Sequence, residues 1–261
     1  MKLRLLLYVS FALFIFTSNA NAQEKASRDA VIWPQWQLRY VFPEQHMLFF
    51  QNQFRYNTND ALNQLGPMER VQFRLGYEHA FTDHWRGGLS ERYALEKHRH
   101  VLFTEVYLMH LGKIGSLNFI KRASFEHLLE KERDNSGRVR FFAQLDKNFE
   151  VGNIRLAPAL AAEFFFYQDF KEEDPYRWEE RMVDRSRLRV AFTVAPTKQF
   201  AITPYFTRQI DYQFLEATFD ENGNIKRPGG KWNISTAIWG LDLSYTFPNN
   251  ADNTQNILRN R

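Results

Sequence analysis

Apolar and polar residues alternate along several stretches of this chain. The alternation is clearest over 36–42, 48–56, 70–78 and 239–247, where nearly every second residue is aliphatic or aromatic. Successive side chains of a β-strand point to opposite faces, so a period of two predicts strands with one apolar and one polar face. The same period excludes amphipathic helices, whose apolar residues recur every three or four positions.

The strand pattern recurs along the whole chain, and the links between segments alternate in length. Eleven candidate strands lie near 36–42, 48–56, 70–78, 85–96, 100–111, 116–130, 137–148, 153–167, 185–195, 199–213 and 232–247. The short turns lie at 43–45, 82–84, 112–115, 150–152 and 196–198, and the longer polar links at 57–68, 132–136, 169–184 and 214–231; the link near 97–99 is shorter. Short turns at one rim and long loops at the other are typical of outer-membrane barrels.

An odd number of strands is unusual for such a barrel, because bacterial single-chain barrels have even numbers. Either the segment 26–33 contains a further first strand, which gives twelve, or one segment lies outside the wall, which gives ten. The predicted fold class is therefore all-β, a single antiparallel up-and-down transmembrane β-barrel. We expect twelve strands, with ten as the alternative.

The first residues have the order of a secretory signal. Lys2 and Arg4 precede a nearly unbroken apolar stretch over 5–16, and Ala20-Asn21-Ala22 forms a small-x-small cleavage site. This order predicts a cleavable signal peptide over 1–22. The chain has no cysteine, so a lipid-modified cysteine, a disulfide framework and a thiolate metal site are excluded. We expect a β-barrel domain over 23–247 and a polar C-terminal tail over 248–261.

Arginine and lysine occupy different positions relative to the predicted strands, and this difference favours a barrel with its apolar face outside. Arginine lies in mid-strand at positions 55, 74, 122, 140, 155, 187 and 189, whereas nearly all lysines lie in turns or at strand ends. The planar guanidinium suits partly buried carboxylate pairs, while the lysine ammonium is strongly hydrated. Aromatic residues make up 16% of the chain, which a lipid-facing surface accommodates. These features predict a charged lumen enclosed by an apolar outer wall.

Two further features bear on a membrane location. The segment 239–247 resembles the terminal strand that the barrel-insertion machinery of Gram-negative bacteria recognises, so we expect that machinery and outer-membrane lipid as partners. Lys121 and Glu91, by contrast, have the parity of lipid-facing positions. A lysine at the bilayer midplane costs about 2–4 kcal/mol, less near the interface, so we expect Lys121 to snorkel. Glu91 requires a bulge near Gly87 and Gly88 or a different register.

Several short motifs resemble an uncharacterised bacterial family, domain of unknown function 2490. The motifs are Trp33-x-x-Trp36, Phe54-Arg55, Arg122-x-Ser124-x-Glu126, Arg138-x-Arg140, Arg185-x-Arg187-x-Arg189 and Thr203-Pro204-Tyr205. The resemblance covers most of the chain after the signal peptide. It implies an outer-membrane barrel and adds no activity.

The best candidate functional site is a ladder of charged residues on the inward face of the strands. Its members are Arg74, Glu78, Arg122, Glu126, Arg140, Asp146, Glu163 and Arg187. Two interpretations are open: a salt-bridged plug that makes the barrel rigid, or a narrow channel in which surplus arginine favours anions. Small barrels usually fill their interiors with side chains, which favours the plug.

Catalytic and metal sites are not predicted. Ser124 and Glu126 share one face of a strand, while His127 points to the other, so they do not converge as a triad requires. The adjacent residues His98, Arg99 and His100 diverge on a strand, and the acidic residues of 172–184 alternate with arginines that neutralise them. We expect no catalytic residues, no metal and no cofactor.

The functional expectation is a non-enzymatic outer-membrane β-barrel, either structural or a narrow channel for small solutes that favours anions. A soluble, exported, lipocalin-like binding barrel and an outer-membrane lipid hydrolase are the alternatives. The formal net charge of +4 comes from basic residues spread among acidic ones. Without a basic cluster, the sequence predicts no nucleic-acid partner.

Overall fold

The alternating segments form β-strands that close into a single barrel. In this computed structural model the described residues are 24–43, 45–58, 68–96, 99–130, 135–170, 183–215, 217–227 and 229–247. The predicted signal peptide and C-terminal tail lie outside these ranges. Within them no helix is long and apolar enough to cross a membrane. The predictions of an all-β fold and of a barrel are confirmed.

The strands have the following bounds. They are β1 Glu24–Val41, β2 Met47–Asn57, β3 Met68–Ala80, β4 Trp85–Glu96, β5 Arg99–Ile114, β6 Leu117–Glu130, β7 Ser136–Asp146, β8 Phe149–Val151, β9 Ile154–Asp169, β10 Arg185–Ala195, β11 Phe200–Leu215, β12 Thr218–Phe219, β13 Ile225–Arg227 and β14 Gly230–Phe247. β8 continues β7 along β9 in the same register, so the two form one wall strand with an interruption at 147–148. β12 and β13 pair only with each other, as a small hairpin between β11 and β14.

The wall has eleven strands, and neighbours in the chain are antiparallel neighbours in the barrel. The exception is the closing pair, since β1 and β14 run parallel, with Trp36 opposite Leu243. The expectation of twelve strands, or of ten, is therefore wrong. The segment 26–33 is the first half of β1 rather than a separate strand. A parallel closing pair lets an odd number of strands form a ring, and it puts the two ends of the wall at opposite rims.

Short turns lie at one end of the barrel, which we call the short-turn rim. The two-residue turns at 115–116 and 152–153 begin with Gly115 (φ 60°) and Gly152 (φ 59°). A positive φ at the first turn residue is the pattern of a type II′ hairpin, which glycine adopts without steric cost. The four-residue turns at 81–84 and 196–199 are closed by threonine hydroxyls: Thr82 Oγ1 accepts the backbone N–H of Trp85 at 2.9 Å, and Thr197 Oγ1 that of Phe200 at 3.0 Å.

The opposite end is the long-loop rim, where the links span 58–67, 97–98, 131–135, 170–184 and 216–229. Within the last link, the Asp220 carboxylate orders the turn of the β12–β13 hairpin. Its Oδ1 accepts backbone N–H groups from Asn224 at 2.8 Å and Asn222 at 2.9 Å. These hydrogen bonds, above all the one from Asn224, hold the pKa of Asp220 below its ordinary value.

The two faces of the wall differ sharply in polarity. The outward face carries large apolar side chains such as Leu75, Leu188 and Trp239, which are 60%, 54% and 57% exposed. The inward face carries charged and polar groups, among which Glu126 and Arg86 are fully buried. This arrangement is the reverse of a lipocalin-like barrel, whose ligand cavity is apolar. Apolar side chains inside form only small clusters, one of which contains Val41, Met47 and Phe49.

Both charged residues with outward parity do lie on the outer face. The ladders of β4 with β3 and with β5 are both continuous from Arg86 to Glu96, so the bulge expected near Gly87 and Gly88 is absent. Glu91 accepts a hydrogen bond at 3.0 Å from the hydroxyl of Thr104, its neighbour on β5. The Lys121 ammonium lies 5.3 Å from the centroid of the Phe119 ring. Each charge therefore has a local interaction on the outer wall.

Three inward aromatic rings lie against glycines directly opposite them on the neighbouring strand. The pairs are Phe49–Gly76, Tyr107–Gly88 and Tyr205–Gly240. A Cβ atom at any of these glycines would overlap the facing ring. The missing side chain therefore lets each ring lie flat on the wall, which leaves space in the lumen for charged side chains.

We expect Gly240→Ala to destabilise the barrel by about 1–3 kcal/mol, because the new methyl group displaces the Tyr205 ring. Equilibrium urea unfolding in detergent micelles measures the change. In a Tyr205→Leu background the same substitution should cost far less, since the facing ring is gone. An equal loss in both backgrounds would show that the ring contact is not the cause.

Candidate functional site: an arginine-rich lumen

Strand alternation directs the predicted charged ladder into the lumen. The ladder residues lie at inward positions of five strands: Arg74 and Glu78 on β3, Arg122 and Glu126 on β6, Arg140 and Asp146 on β7, Glu163 on β9 and Arg187 on β10. Most of them meet in one network in the middle of the barrel. The inner wall is thus lined by side chains that the parity of each strand selects.

The network is built around two buried glutamates on neighbouring strands. Glu105 on β5 lies directly opposite Glu126 on β6, and they are 3% and 0% exposed. Two adjacent carboxylates in a dry environment cannot both be ionised unless cations compensate them. Arg140 lies between them, with Nη1 2.5 Å from a Glu126 oxygen and 3.7 Å from a Glu105 oxygen. Its guanidinium therefore compensates both carboxylates at once.

A third carboxylate joins the network from β9, the strand that pairs with β7. Glu163 on β9 accepts a hydrogen bond at 3.0 Å from Arg140 Nε and lies 3.2 Å from Arg187 Nη1. Arg140 thus contacts all three glutamates of the central network. Because its partners come from β5, β6 and β9, this one side chain links four consecutive strands of the wall, β5, β6, β7 and β9.

Further guanidiniums surround the two central glutamates. Arg74 forms an ion pair with Glu105, and Arg122 Nη2 lies 4.0 Å from the same carboxylate. Glu126 accepts a hydrogen bond at 3.1 Å from Arg92 and one at 2.6 Å from Arg138 Nε. Each carboxylate therefore serves several arginines, so the network as a whole is cationic.

Glu78 and Asp146 lie apart from this network, nearer the short-turn rim. The Glu78 carboxylate is 3.3 Å from Arg86 Nη1 and accepts the Tyr107 hydroxyl at 2.8 Å. Asp146 accepts side-chain amide hydrogen bonds from Asn118 at 2.8 Å and from Gln144 at 3.0 Å. The predicted ladder thus divides into a central cluster and two separate polar contacts below it.

Sequence reasoning missed several members of the central network, above all Glu105, Arg92 and Arg138. Arg138 lies two residues before Arg140 and could have been found from parity alone. Glu105 was harder to find, because its inward neighbours on β5 are Phe103 and Tyr107 and the outward face of this strand is also largely apolar. With both faces of β5 apolar, the period of two is weak there.

Aromatic rings separate the crowded guanidiniums. The buried Phe165 ring lies 4.7 Å from the guanidinium carbon of Arg187, 5.1 Å from that of Arg140 and 5.2 Å from that of Arg138. A guanidinium near an aromatic face is attracted by the negative quadrupole of the ring. Phe165 therefore offsets part of the repulsion among these three arginines.

Three cavities follow one another through the lumen. The long-loop cavity has a volume of 330 Å³, the middle cavity 260 Å³ and the short-turn cavity 230 Å³. The first two share the linings of Arg55, Arg92, Arg140 and Arg187, and the last two share Arg74 and Arg122. Arginine side chains therefore border a series of adjoining spaces from the long-loop rim downward. The short-turn cavity is more apolar, with Met47, Met109 and Ile120 in its lining.

Arg55 differs from the other arginines of the middle cavity. Its Nε donates a hydrogen bond at 3.2 Å to Gln53, and its guanidinium lies 4.1 Å from the centroid of the Trp33 ring. Among the described residues no carboxylate lies within ion-pair distance of it. Its positive charge is therefore available to a ligand in either of the two upper cavities.

The catalytic and metal candidates do not converge in the structure. The Ser124 hydroxyl points into the lumen, is buried and has no hydrogen-bond partner among the described residues. His127 lies on the outer face, with its ring 5.8 Å from that of Phe170. No group of three or more His, Cys, Asp or Glu side chains in the described ranges could hold a metal ion. His98 and most of the acidic 172–184 segment lie outside those ranges.

Comparison with known proteins returns no relative: no protein-family model, no curated protein and no solved structure matches this chain.

Arg140→Gln should destabilise the barrel by about 3–5 kcal/mol, because it leaves buried carboxylates without their shared cation. The matched control is Arg99→Gln at the long-loop rim, where the side chain is 44% exposed and pairs with Glu96 and Glu130. An exposed pair contributes about 0–1 kcal/mol, so this variant should unfold close to the parent. Urea unfolding in micelles compares the two, and equal midpoints would contradict the central role of Arg140.

Proposed function

We propose that this chain is an exported outer-membrane β-barrel whose lumen is a narrow path for small anions. The observation that carries the proposal is an apolar outer wall around a lumen lined mainly by arginine. The signal peptide proposed over 1–22 would direct export. We also propose membership of the family domain of unknown function 2490, since its motifs Arg122-x-Ser124-x-Glu126 and Arg138-x-Arg140 supply much of the central network.

The outer wall supports a location in lipid. Large apolar side chains project from nearly every wall strand and are about half exposed, such as Leu89 at 50%, Phe141 at 50% and Val190 at 56%. Exposing each 100 Å² of apolar surface to water costs roughly 2.5 kcal/mol of free energy, a cost that is absent when the surface contacts lipid. Contiguous apolar surface on this scale is atypical of a soluble monomer.

The alternatives have less support. A soluble lipocalin-like carrier would hold its ligand in an apolar cavity, whereas the long-loop and middle cavities are lined mainly by charged and amide side chains. A lipid hydrolase would need a base within hydrogen-bond reach of Ser124, and His127 lies on the other face of β6.

The charge of the lumen favours anions over cations. Among the residues that line the middle cavity, seven are arginine and the one carboxylate is that of Glu163. A cleft lined by one sign of charge with low-dielectric walls concentrates ions of the opposite sign. Rings of arginine are a recurring selectivity element of anion pores.

A structural barrel is the second candidate, and a specific observation favours it. Towards the short-turn rim the lumen holds a cavity of 230 Å³ whose lining includes the apolar side chains of Met47, Met109 and Ile120. Apolar side chains at a constriction can stop ion flow by excluding water. The barrel would then be rigid and closed, with its arginines serving the wall alone.

Membrane insertion is tested by fractionation and by a heat-modifiability gel. The mature protein should stay with outer membranes after an alkaline wash, and unheated protein should migrate faster than boiled protein. Both follow from a closed wall whose outer face requires lipid or detergent. A mature protein that stays monomeric and soluble without detergent would exclude the membrane assignment.

Conductance in planar bilayers tests the anion path. In a potassium chloride gradient the reversal potential should indicate preference for chloride, and Arg55→Gln with Arg187→Gln should reduce that preference. Met109→Ala with Ile120→Ala should raise conductance, because the substitutions remove apolar bulk from the short-turn cavity. Leu89→Ala, on the outer wall, is the control and should change neither property. If neither the parent nor the Met109→Ala, Ile120→Ala variant conducts ions, the anion path is rejected and the structural barrel remains.

A further inference from the structure

The long-loop cavity is the largest of the three lumen cavities and is bordered by the most arginines. Its 330 Å³ are bordered by residues at or near the upper ends of the strands, including Arg55, Arg70, Arg92, Arg138, Arg185 and Arg187. Because these residues lie next to the long links, the cavity is at the long-loop rim. Within the described residues it is thus the lumen cavity nearest to that rim.

The carboxylates near this cavity are shared among its arginines and do not neutralise them. Glu96 pairs with both Arg70 and Arg99. Glu126 pairs with Arg92, Arg138 and Arg140, as described above. Arg55 has no carboxylate partner among the described residues. Eight arginines line the cavity against two carboxylates, those of Glu96 and Glu130, so a bound anion would relieve the repulsion among the guanidiniums.

From this geometry we infer that the long-loop cavity is a binding site for a small anion that carries phosphate groups. The inference deepens the proposed anion path, on which it rests, by naming the class of anion. Guanidiniums bind phosphate through pairs of parallel hydrogen bonds, and a phosphate has enough oxygens to contact several of them. The volume lies at the lower end of the range of small-molecule sites, which suits a compact ligand.

The walls of the cavity prearrange its donors for such a ligand. Stacking on Trp33 and the hydrogen bond to Gln53 hold the Arg55 guanidinium in place. Arg138 is held by Glu126 and by a hydrogen bond of 2.9 Å from Nη1 to the Tyr167 hydroxyl. Side chains that are already ordered lose little entropy on binding. A monovalent ion such as chloride can contact only a few of these donors at once, so a multivalent phosphate should bind more tightly.

The test is calorimetric titration of the purified, delipidated barrel in micelles with sodium pyrophosphate, and separately with sodium chloride at matched ionic strength. We expect one saturable pyrophosphate site with a Kd at least about tenfold below that for chloride. Quenching or a shift of Trp33 fluorescence should follow the same isotherm, because Arg55 lies on that ring. Equal affinities for the two salts would overturn the inference.

Substitutions assign the site to the long-loop cavity. Arg55→Gln leaves no buried carboxylate without its partner, so the barrel should fold, and pyrophosphate affinity should fall by about tenfold or more. Arg155→Gln is the matched control, an inward arginine near the short-turn rim, opposite Ala195, and should not change the affinity. A heat-modifiability gel verifies folding of both. If folded Arg55→Gln binds pyrophosphate like the parent, the assignment is wrong.

Two sources of phosphate are distinguished by a pair of ligands, glycerol 3-phosphate and short-chain dihexanoyl phosphatidic acid. Similar affinities would indicate a free phosphate ester, and binding that requires the acyl chains would indicate a lipid head group. Binding of neither ligand would contradict the site. Calorimetry in micelles does not depend on ion flow. An absence of conductance in planar bilayers would therefore reject the anion path without rejecting the phosphate-binding site.

Discussion

Two glutamates buried side by side determine much of what the lumen must contain. Glu105 and Glu126 face each other across β5 and β6, where little water is available to screen them. Their charges require cations at close range, and Arg140 meets this requirement while also pairing with Glu163 on the neighbouring strand β9. The arginines then repel one another, and rings such as that of Phe165 offset part of this repulsion. Carboxylate, guanidinium and ring together form one layer that connects most of the wall.

This layer also explains how one set of residues can serve both the wall and a ligand. Because the carboxylates are shared among several arginines, the cluster as a whole keeps a net positive charge. The spaces between its arginines remain open as adjoining cavities. Glycines opposite Phe49, Tyr107 and Tyr205 keep those rings flat on the wall, so the rings do not fill these spaces. Arg55 is distinct because stacking and an amide, rather than a carboxylate, hold it in place. The structural and the binding roles of arginine are thus partly separable.

Closure of the barrel depends on its two longest wall strands. β1 and β14 each span 18 residues and run parallel along nearly their whole length. A parallel ladder is slightly less stable per residue than an antiparallel one, and the length of this pairing compensates for that difference. The pairing makes an odd strand number possible. It also places the start of the wall at the long-loop rim and its end at the short-turn rim.

The sequence alone was enough to predict where the strands lie, which face of each strand is polar, and that the charged ladder from Arg74 to Arg187 points inward. These properties follow from alternation, which is a local property of the extended backbone. Glu105 was not predicted from the sequence, because both faces of β5 are largely apolar and the alternation is weak there. The predicted number of strands was wrong because the closure of the barrel depends on the pairing of β1 with β14, some 200 residues apart in the chain. Local alternation carries no information about which distant strands pair. Which charges meet, which glycine receives a ring and where the cavities lie were likewise decided only by the tertiary structure. These properties depend on the register and curvature of the whole wall.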